Sequence, residues 1–195
     1  CGLVPVFCES EPETLGLDPV DAARRITPRT KAIVIVHLWG LPCKVAELTA
    51  LAKAHDLRII EDASHAHGAS QDGVPCGRMG EVSVFSLQGD KLGPAGEGGV
   101  LMTDDDATYD RALRMGDITR IIRMPTADRR FAATSFGIKT RIAPMSAALG
   151  KSMLARLPET NSVRYHHHAR LAATLEELGF ECFLPRKGVV RVWFE

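Results

Sequence analysis

The sequence predicts an α/β domain built on a mostly parallel sheet. A continuous run rich in β-branched residues at 31–37 is typical of a strand buried on both faces, and a second apolar run at 57–62 is predicted to be the next buried strand. An amphipathic pattern at 44–55 lies between them and places Val45 and Leu48 on one face of a helix. Strands that alternate with helices across short turns favour a parallel sheet.

A shorter strand and helix precede the first buried run. Residues 3–7 (LVPVF) are predicted to form a short strand. Asp18 and Pro19 mark the start of a helix over 18–25, because aspartate is a good N-cap and proline suits the first helical turn.

Two further strands, at 82–87 and 100–103, have no helical pattern between them. A parallel connection needs a dozen or more residues and usually contains a helix. The second of these strands is therefore predicted to run antiparallel to the first.

The second half of the chain is predicted to be mainly helical, over 105–115, 144–157 and 160–179. Residues 179–195 are expected to be strand material of a smaller domain. We divide the chain into a large domain at 1–155 and, at 156–195, a linking helix with the start of the small domain.

The composition is that of an ordinary globular protein. Of 195 residues, 45% are hydrophobic and 25% charged, and the 24 basic residues equal the 24 acidic ones, so charge gives no reason to expect nucleic acid. The five cysteines form no C-x-x-C pair, so no metal site is expected. Without a membrane-length apolar run or an export signal, no membrane partner and a cytoplasmic location are expected. The chain begins with Cys1 and ends within an apolar run, so a fragment of a longer protein is expected.

Asp62 ends the second buried run. Ligands of open α/β sheets bind beyond the carboxyl ends of the strands. A carboxylate there can pair with a protonated ring nitrogen and favour its charged form. Asp62 can equally cap the turn that follows it, and the strand end alone leaves both interpretations open.

Lys91 follows the strand at 82–87 by a few residues and lies in a glycine-rich loop. A lysine amine can form a Schiff base, although a lysine in such a loop is often a solvated charge. Ser86 can donate to a phosphate oxygen or bond the local backbone. Gly96, Gly98 and Gly99 let the backbone pass close to a ligand. A carboxylate, a hydroxyl and a lysine at neighbouring strand ends predict a site for pyridoxal 5'-phosphate (PLP).

Two other features carry open alternatives. His65 can stack on or hydrogen-bond an aromatic ring, or it can be a packing histidine, whereas His67 is interpreted as structural. The arginine-rich stretch 111–141 can receive phosphates or form a solvated or subunit-facing loop.

Several segments together resemble the DegT/DnrJ/StrS sugar aminotransferases, which are PLP enzymes of fold type I. The resemblance spans most of the chain and is carried by TPRTKAIVIVHLWGLPC, EDASHAHGA, GRMGEVSVFSLQGDKLGPAGEGGVLMT and GIKTRIAPMSAALG. It implies a three-layer α/β/α large domain, like that of aspartate aminotransferase, and the start of a small α+β domain. It also implies that the family's phosphate-binding N-terminal loop lies outside this chain.

The resemblance implies a role for each matching residue. Lys91 is the covalent anchor of PLP and moves protons, Asp62 pairs with the pyridine nitrogen, and Ser86 binds the phosphate. His65 stands where the family usually has glutamine, close to the ring. Arg141 lies where a neighbouring subunit reaches into the site, and near it Lys139 replaces the usual asparagine.

The implied activity is transfer of an amino group from glutamate or glutamine to a nucleotide-linked keto sugar or to a cyclitol. The resemblance also implies that the complete enzyme is a homodimer. One alternative is sugar dehydration, although dehydratase relatives typically carry histidine in place of Lys91. Another is a truncated, inactive fragment that holds no PLP. A nucleotide-binding protein is disfavoured, because no G-x-G-x-x-G follows a strand.

Overall fold

A four-stranded sheet organises the molecule in the computed structural model, which describes residues 2–116, 129, 138 and 140–194. In chain order the elements are α1 (Pro19–Arg25), β1 (Ala32–Val36), a 3-10 helix (Leu38–Gly40), α2 (Val45–Ala54), β2 (Arg58–Asp62), β3 (Ser70–Gln71), β4 (Val74–Pro75), β5 (Val82–Ser86), β6 (Gly99–Met102), α3 (Asp106–Gly116), α4 (Pro144–Glu177) and β7 (Val189–Val190).

The sheet has the order β1-β2-β5-β6. Strands β1, β2 and β5 are parallel, whereas β6 pairs antiparallel with β5. The predicted α/β class, the mostly parallel sheet and the antiparallel strand after the lysine loop are confirmed. Because the three parallel strands share a direction, their carboxyl ends meet at one edge of the sheet.

Helices α1 and α2 cover one face of this sheet. The Asp18 side chain accepts a hydrogen bond from the Val20 N–H at 2.8 Å and so caps α1, as predicted. Leu48 of α2 is completely buried, and Ile35 of β1 and Ile59 of β2 belong to the same apolar cluster. On the opposite face the apolar side chains of Val34, Val36 and Ile60 are exposed.

Helix α4 runs unbroken through Pro158, so the prediction of two separate helices was wrong. Proline inside a helix removes a hydrogen bond and costs about 3 kcal/mol. Tertiary contacts on both sides of the proline hold the helix together. Leu157 packs against an apolar cluster below the sheet edge, and the Asn161 side chain donates to the His67 carbonyl at 2.9 Å.

Residues 3–7 form no strand, contrary to prediction. A strand needs a neighbour to satisfy its backbone groups, and within the described part of the chain this run pairs with no other strand. Its apolar side chains are largely exposed, with Val4 and Phe7 each 84% exposed. Apolar composition alone was therefore an insufficient indicator of a strand here.

The end of the chain returns to the sheet edge. Strand β7 pairs antiparallel with β3, and the Val192 N–H donates to the Gly40 carbonyl at 3.1 Å. Gly40 has a φ of +76°, and a Cβ there would overlap the Val192 carbonyl, so this close approach requires glycine. The division between residues 155 and 156 falls inside α4 and stays a prediction.

Across the described residues, no helix combines the length and apolar character that crossing a membrane requires.

Candidate functional site

Three parallel strand ends bring the predicted site residues to one edge of the sheet. Asp62 is the last residue of β2 and is in register with Val36 of β1 and Val84 of β5. Ser86 ends β5 and lies opposite Gly99, the first residue of β6. The acid, the hydroxyl and the glycine cluster therefore lie along the same edge.

The Asp62 carboxylate is half-buried and makes a local hydrogen bond. Its Oδ1 accepts from the Ser64 N–H at 3.0 Å, which is the turn cap that the sequence left open. A carboxylate has two oxygens and about four lone pairs, so this bond leaves room for a second donor. Capping and ring-nitrogen pairing are thus compatible roles for Asp62.

Lys91 points inward rather than into solvent. Only 13% of its side chain is exposed, and its Nζ lies 3.2 Å from His65 Nε2. The amine also lies 4.4 Å from the centre of the Phe194 ring and 4.0 Å from Asp90 Oδ1. The interpretation of Lys91 as a solvated surface charge does not fit this geometry.

His65 joins the acid-bearing turn to the lysine loop. Its Nδ1 accepts from the Trp39 N–H at 3.4 Å, and its ring stacks on that of Phe194 with the centroids 4.0 Å apart. Trp39 has a φ of +49°, an uncommon conformation for a bulky residue. His65 is therefore held by two elements that are distant in sequence and reaches the amine of Lys91.

Neither Trp39 nor Phe194 was predicted to contact the site. No local pattern relates either residue to His65, because the contacts form between remote parts of the chain. In the structure, buried Val192 and Phe194 alternate with half-buried Arg191 and Trp193, so one face of this extended segment packs into the protein.

Ser86 makes the local contact that the sequence also allowed. Its hydroxyl oxygen accepts from the Gln88 N–H at 3.3 Å, which leaves the O–H free to donate. Arg141 is exposed, Lys139 lies outside the described residues, and so does most of the arginine-rich stretch. The subunit-facing role of Arg141 stays a prediction.

His67 is buried beneath the lysine loop, with 3% of the residue exposed. Its ring meets that of Phe85 edge to face at 5.0 Å. Burial lowers the pKa of His67 from its ordinary value, and the nearby Lys91 and His65 lower it further, which favours a neutral ring. This environment fits the structural interpretation of His67.

The chemistry of these groups fits PLP. A carboxylate suits a pyridinium nitrogen, an inward-facing primary amine suits an aldehyde, and a hydroxyl beside flexible glycine backbone suits a phosphate. Asp62, Lys91 and Ser86 supply these groups at one sheet edge, with His65 against the amine. The residues present can therefore hold the cofactor predicted from the sequence.

The chain matches the DegT/DnrJ/EryC1/StrS aminotransferase family over residues 1–194. It is 37% identical over 166 residues to GDP-perosamine synthase of Caulobacter vibrioides, which covers 84% of this chain and 43% of that protein. It is 35% identical over 182 residues to L-glutamine:2-deoxy-scyllo-inosose aminotransferase of Streptomyces lividus, covering 91% of this chain and 43% of that protein.

The fold is also that of solved aminotransferases. The aminotransferase from Psychrobacter cryohalolentis superposes with a TM-score of 0.87 at 29% identity, over 99% of this chain and 53% of that one. The chain thus spans less than half the length of the two curated relatives named above.

Proposed function

The chain belongs to the DegT/DnrJ/EryC1/StrS aminotransferase family, and we propose that it carries the lysine and acid of a PLP-dependent aminotransferase. The observation that supports this proposal most strongly is the inward-facing Lys91 amine, 3.2 Å from His65 Nε2 at the edge where Asp62 and Ser86 end their strands. PLP, when bound, supplies an electron sink that stabilises a carbanion at the substrate carbon.

Lys91 has two roles in this proposal. Its amine would hold the cofactor covalently, and when not so bonded the same amine would carry a proton to and from the reacting carbon. His65 Nε2 keeps the amine within hydrogen-bond distance of a fixed ring. The amine therefore stays at the sheet edge in both roles.

Asp62 and Ser86 orient the cofactor from two sides in this proposal. The Asp62 carboxylate keeps the ring nitrogen protonated, because a nearby negative charge favours the cationic form. The Ser86 hydroxyl donates to a phosphate oxygen. Arg141 contributes from a neighbouring subunit of a homodimer, and sedimentation of the protein with PLP would measure that association.

We propose that the amino acceptor is a nucleotide-linked keto sugar or a cyclitol, and that the amino donor is glutamate or glutamine. The two curated relatives support this substrate class, since one is a GDP-perosamine synthase and the other an L-glutamine:2-deoxy-scyllo-inosose aminotransferase. Small soluble substrates of this kind are consistent with the cytoplasmic location that we expect.

The test is covalent capture of PLP. The protein is incubated with PLP, its yellow absorbance is recorded, and borohydride then fixes the cofactor to the amine that holds it. Peptide mapping is expected to find the tag on Lys91. Lys91→Ala should abolish the tag, whereas Lys53→Ala, which removes an exposed lysine of α2, should retain it. A tag on another lysine contradicts the proposal.

A second candidate is a PLP-fold chain that is inactive by itself. The 43% coverage of the curated relatives favours this candidate, because a family site assembled from a complete enzyme can need residues outside this span. A chain that develops no yellow absorbance with PLP and transfers no amino group to a keto sugar supports it. Amino transfer by the isolated chain excludes it.

A further inference from the structure

Glu61 is a completely buried carboxylate beside Asp62, and the proposed chemistry does not use it. Successive side chains of a strand point to opposite faces, so Glu61 faces away from Asp62 and into the protein. A buried charge is costly unless hydrogen bonds satisfy it. The contacts of Glu61 therefore indicate why the chain retains a charge at this position.

Four donors surround the Glu61 carboxylate. Its Oε1 accepts from His37 Nε2 at 2.9 Å and from the Gly77 N–H, and its Oε2 accepts from the N–H groups of Met79 at 2.9 Å and Gly80 at 3.2 Å. Burial by itself raises the pKa of Glu61, but the bonds from His37, Gly77 and Met79 outweigh it and lower the pKa below its ordinary value. The buried group is an ionised acceptor.

His37 links this carboxylate to Asp62. Its Nδ1 accepts from the Cys43 N–H at 3.2 Å, so in the neutral ring Nε2 carries the proton and donates to Glu61. The backbone N–H of His37 donates to the Asp62 carbonyl at 3.2 Å. His37, the residue that follows β1, therefore hydrogen-bonds two successive residues at the end of β2, Glu61 and Asp62.

The same network fixes the entry to β5. Gly77, Met79 and Gly80 belong to the loop that precedes this strand, and all three donate to Glu61. The Ala63 N–H in turn donates to the Val84 carbonyl of β5 at 2.9 Å. Glu61 therefore ties together the three parallel strands whose ends carry the candidate site.

A metal site is the main alternative for these residues. Atoms of His37, Glu61 and Cys76 lie within 4.8 Å of one another, a spacing that a metal ion can use. However, four donors occupy the lone pairs of the carboxylate, and both ring nitrogens of His37 are already bonded. The geometry favours a hydrogen-bonded brace over a metal centre.

We propose that Glu61 and His37 are positioning residues that hold Asp62 in place for the ring nitrogen of PLP. The inference rests on the proposed function for the identity of the ring, but the brace itself can be measured without cofactor. The informative variant is Glu61→Gln, because an amide keeps the size of the side chain while its NH₂ group opposes the backbone donors. Glu81→Gln is the matched control, since Glu81 is exposed and accepts from the Ile59 N–H at 2.6 Å near the opposite end of the strands.

The first experiment is amide hydrogen exchange on the cofactor-free chain. Glu61→Gln is expected to accelerate exchange at Ala63 and Ser64 by about tenfold or more, since it opens the turn that carries Asp62. Glu81→Gln should leave these two amides within about twofold of the wild-type rate. Equal effects of the two variants, or no effect of Glu61→Gln, would overturn the inference. If Glu61→Gln does not fold, His37→Gln gives the same comparison.

The second experiment measures binding of PLP and of its analogue with carbon in place of the ring nitrogen. The wild type should prefer PLP, and Glu61→Gln should reduce that preference by about tenfold, whereas a purely structural loss weakens both ligands equally. If the wild type shows no preference, the role proposed for Asp62 is wrong. If the wild type prefers PLP and Glu61→Gln retains the whole of that preference, the proposed function stands and the positioning role of Glu61 is wrong.

Discussion

The acid-bearing segment, residues 61–67, and the lysine-bearing segment, residues 87–95, reach the same sheet edge but are held by different forces. Hydrogen bonds to a buried charge hold the first, since Glu61 accepts from His37 and from three backbone N–H groups of the loop before β5. Apolar packing holds the second. Leu87, Leu92 and Ala95 are each at least nine-tenths buried.

The lysine-bearing segment has its own short-range constraints. The Ala95 N–H donates to the Leu87 carbonyl at 2.7 Å, which closes the loop around Lys91. A Cβ at Gly93 would overlap the Leu154 side chain of α4, so the loop lies directly against that helix. Ala63 and Ala66 of the acid-bearing segment share an apolar cluster with Leu92, so packing is common to both segments, and the buried ionised carboxylate of Glu61 is what distinguishes the acid-bearing one.

The largest expected effect, on the free energy of unfolding, comes from shortening the buried side chain of Leu92, the residue that follows Lys91. Leu92→Ala should lower the free energy of unfolding by about 2–5 kcal/mol, because it removes a buried side chain from a packed cluster. It should also slow capture of PLP by Lys91. Urea unfolding and borohydride tagging measure the two effects.

Leu48→Ala is the matched control for that variant, since Leu48 is equally buried but belongs to the cluster beneath α2. It should lose comparable stability and tag at the wild-type rate under conditions where it is folded. A tagging rate that falls equally in both variants would show that the packing of Leu92 does not position the Lys91 amine.

Acidification should loosen the acid-bearing segment first. The pKa of Glu61 is lower in the folded chain than in the unfolded one, so its stabilisation is fully present above the ordinary glutamate value. That stabilisation is lost as the pH falls through the lowered value. As the pH falls, the protection of the Ala63 amide, its exchange rate relative to that of the unfolded chain, is therefore expected to be lost at a higher pH than that of Ala95.

The Glu61→Gln variant is the control for the pH dependence of exchange, because glutamine does not titrate. It should remove the difference between Ala63 and Ala95 in their dependence on pH. Parallel loss of protection at both amides in the wild type would show that the two segments are not held differently.

Asp62→Asn is expected to weaken PLP binding by about 10- to 150-fold, equivalent to the 1.5–3 kcal/mol of a hydrogen bond to a charged group. The fold should survive, because the asparagine oxygen can still accept from the Ser64 N–H. Asp56→Asn is the control, since that acid is exposed and lies between α2 and the start of β2, away from the candidate site. An affinity loss that is equal in the two variants would remove Asp62 from the site.

The smallest effect is expected where the two segments meet, at Phe194. Its ring stacks on His65 and lies 4.4 Å from Lys91 Nζ. Phe194→Leu should lower the free energy of unfolding by about 0.5–2 kcal/mol, the range of a cation–π contact. Phe180→Leu, at an exposed ring, should change it by less than about 0.5 kcal/mol in urea unfolding.

Local pattern was enough to predict the four strands of the main sheet and the residues at their ends, although it also predicted a strand at 3–7 that does not form. The runs ending at Asp62 and Ser86 are strands, and the antiparallel direction of β6 follows from the missing helix before it. These features depend on periodicity and on connection length, which a sequence displays directly.

Features that depend on remote contacts could not be predicted in the same way. Asn161 and Leu157 hold α4 together around Pro158, and only the fold shows those contacts. In the sequence, Glu61 resembles any acidic residue near the end of a strand. The residues around it do not indicate a hydrogen bond to His37, 24 residues earlier. The contact of Phe194 with His65 likewise spans most of the chain.

The most direct measurement is a crystal structure of the chain after incubation with PLP and reduction with borohydride. Our account predicts continuous density from the cofactor to Lys91 Nζ, with an Asp62 oxygen about 3 Å from the ring nitrogen. A cofactor bonded to a different lysine, or a ring nitrogen that faces away from Asp62, would contradict it.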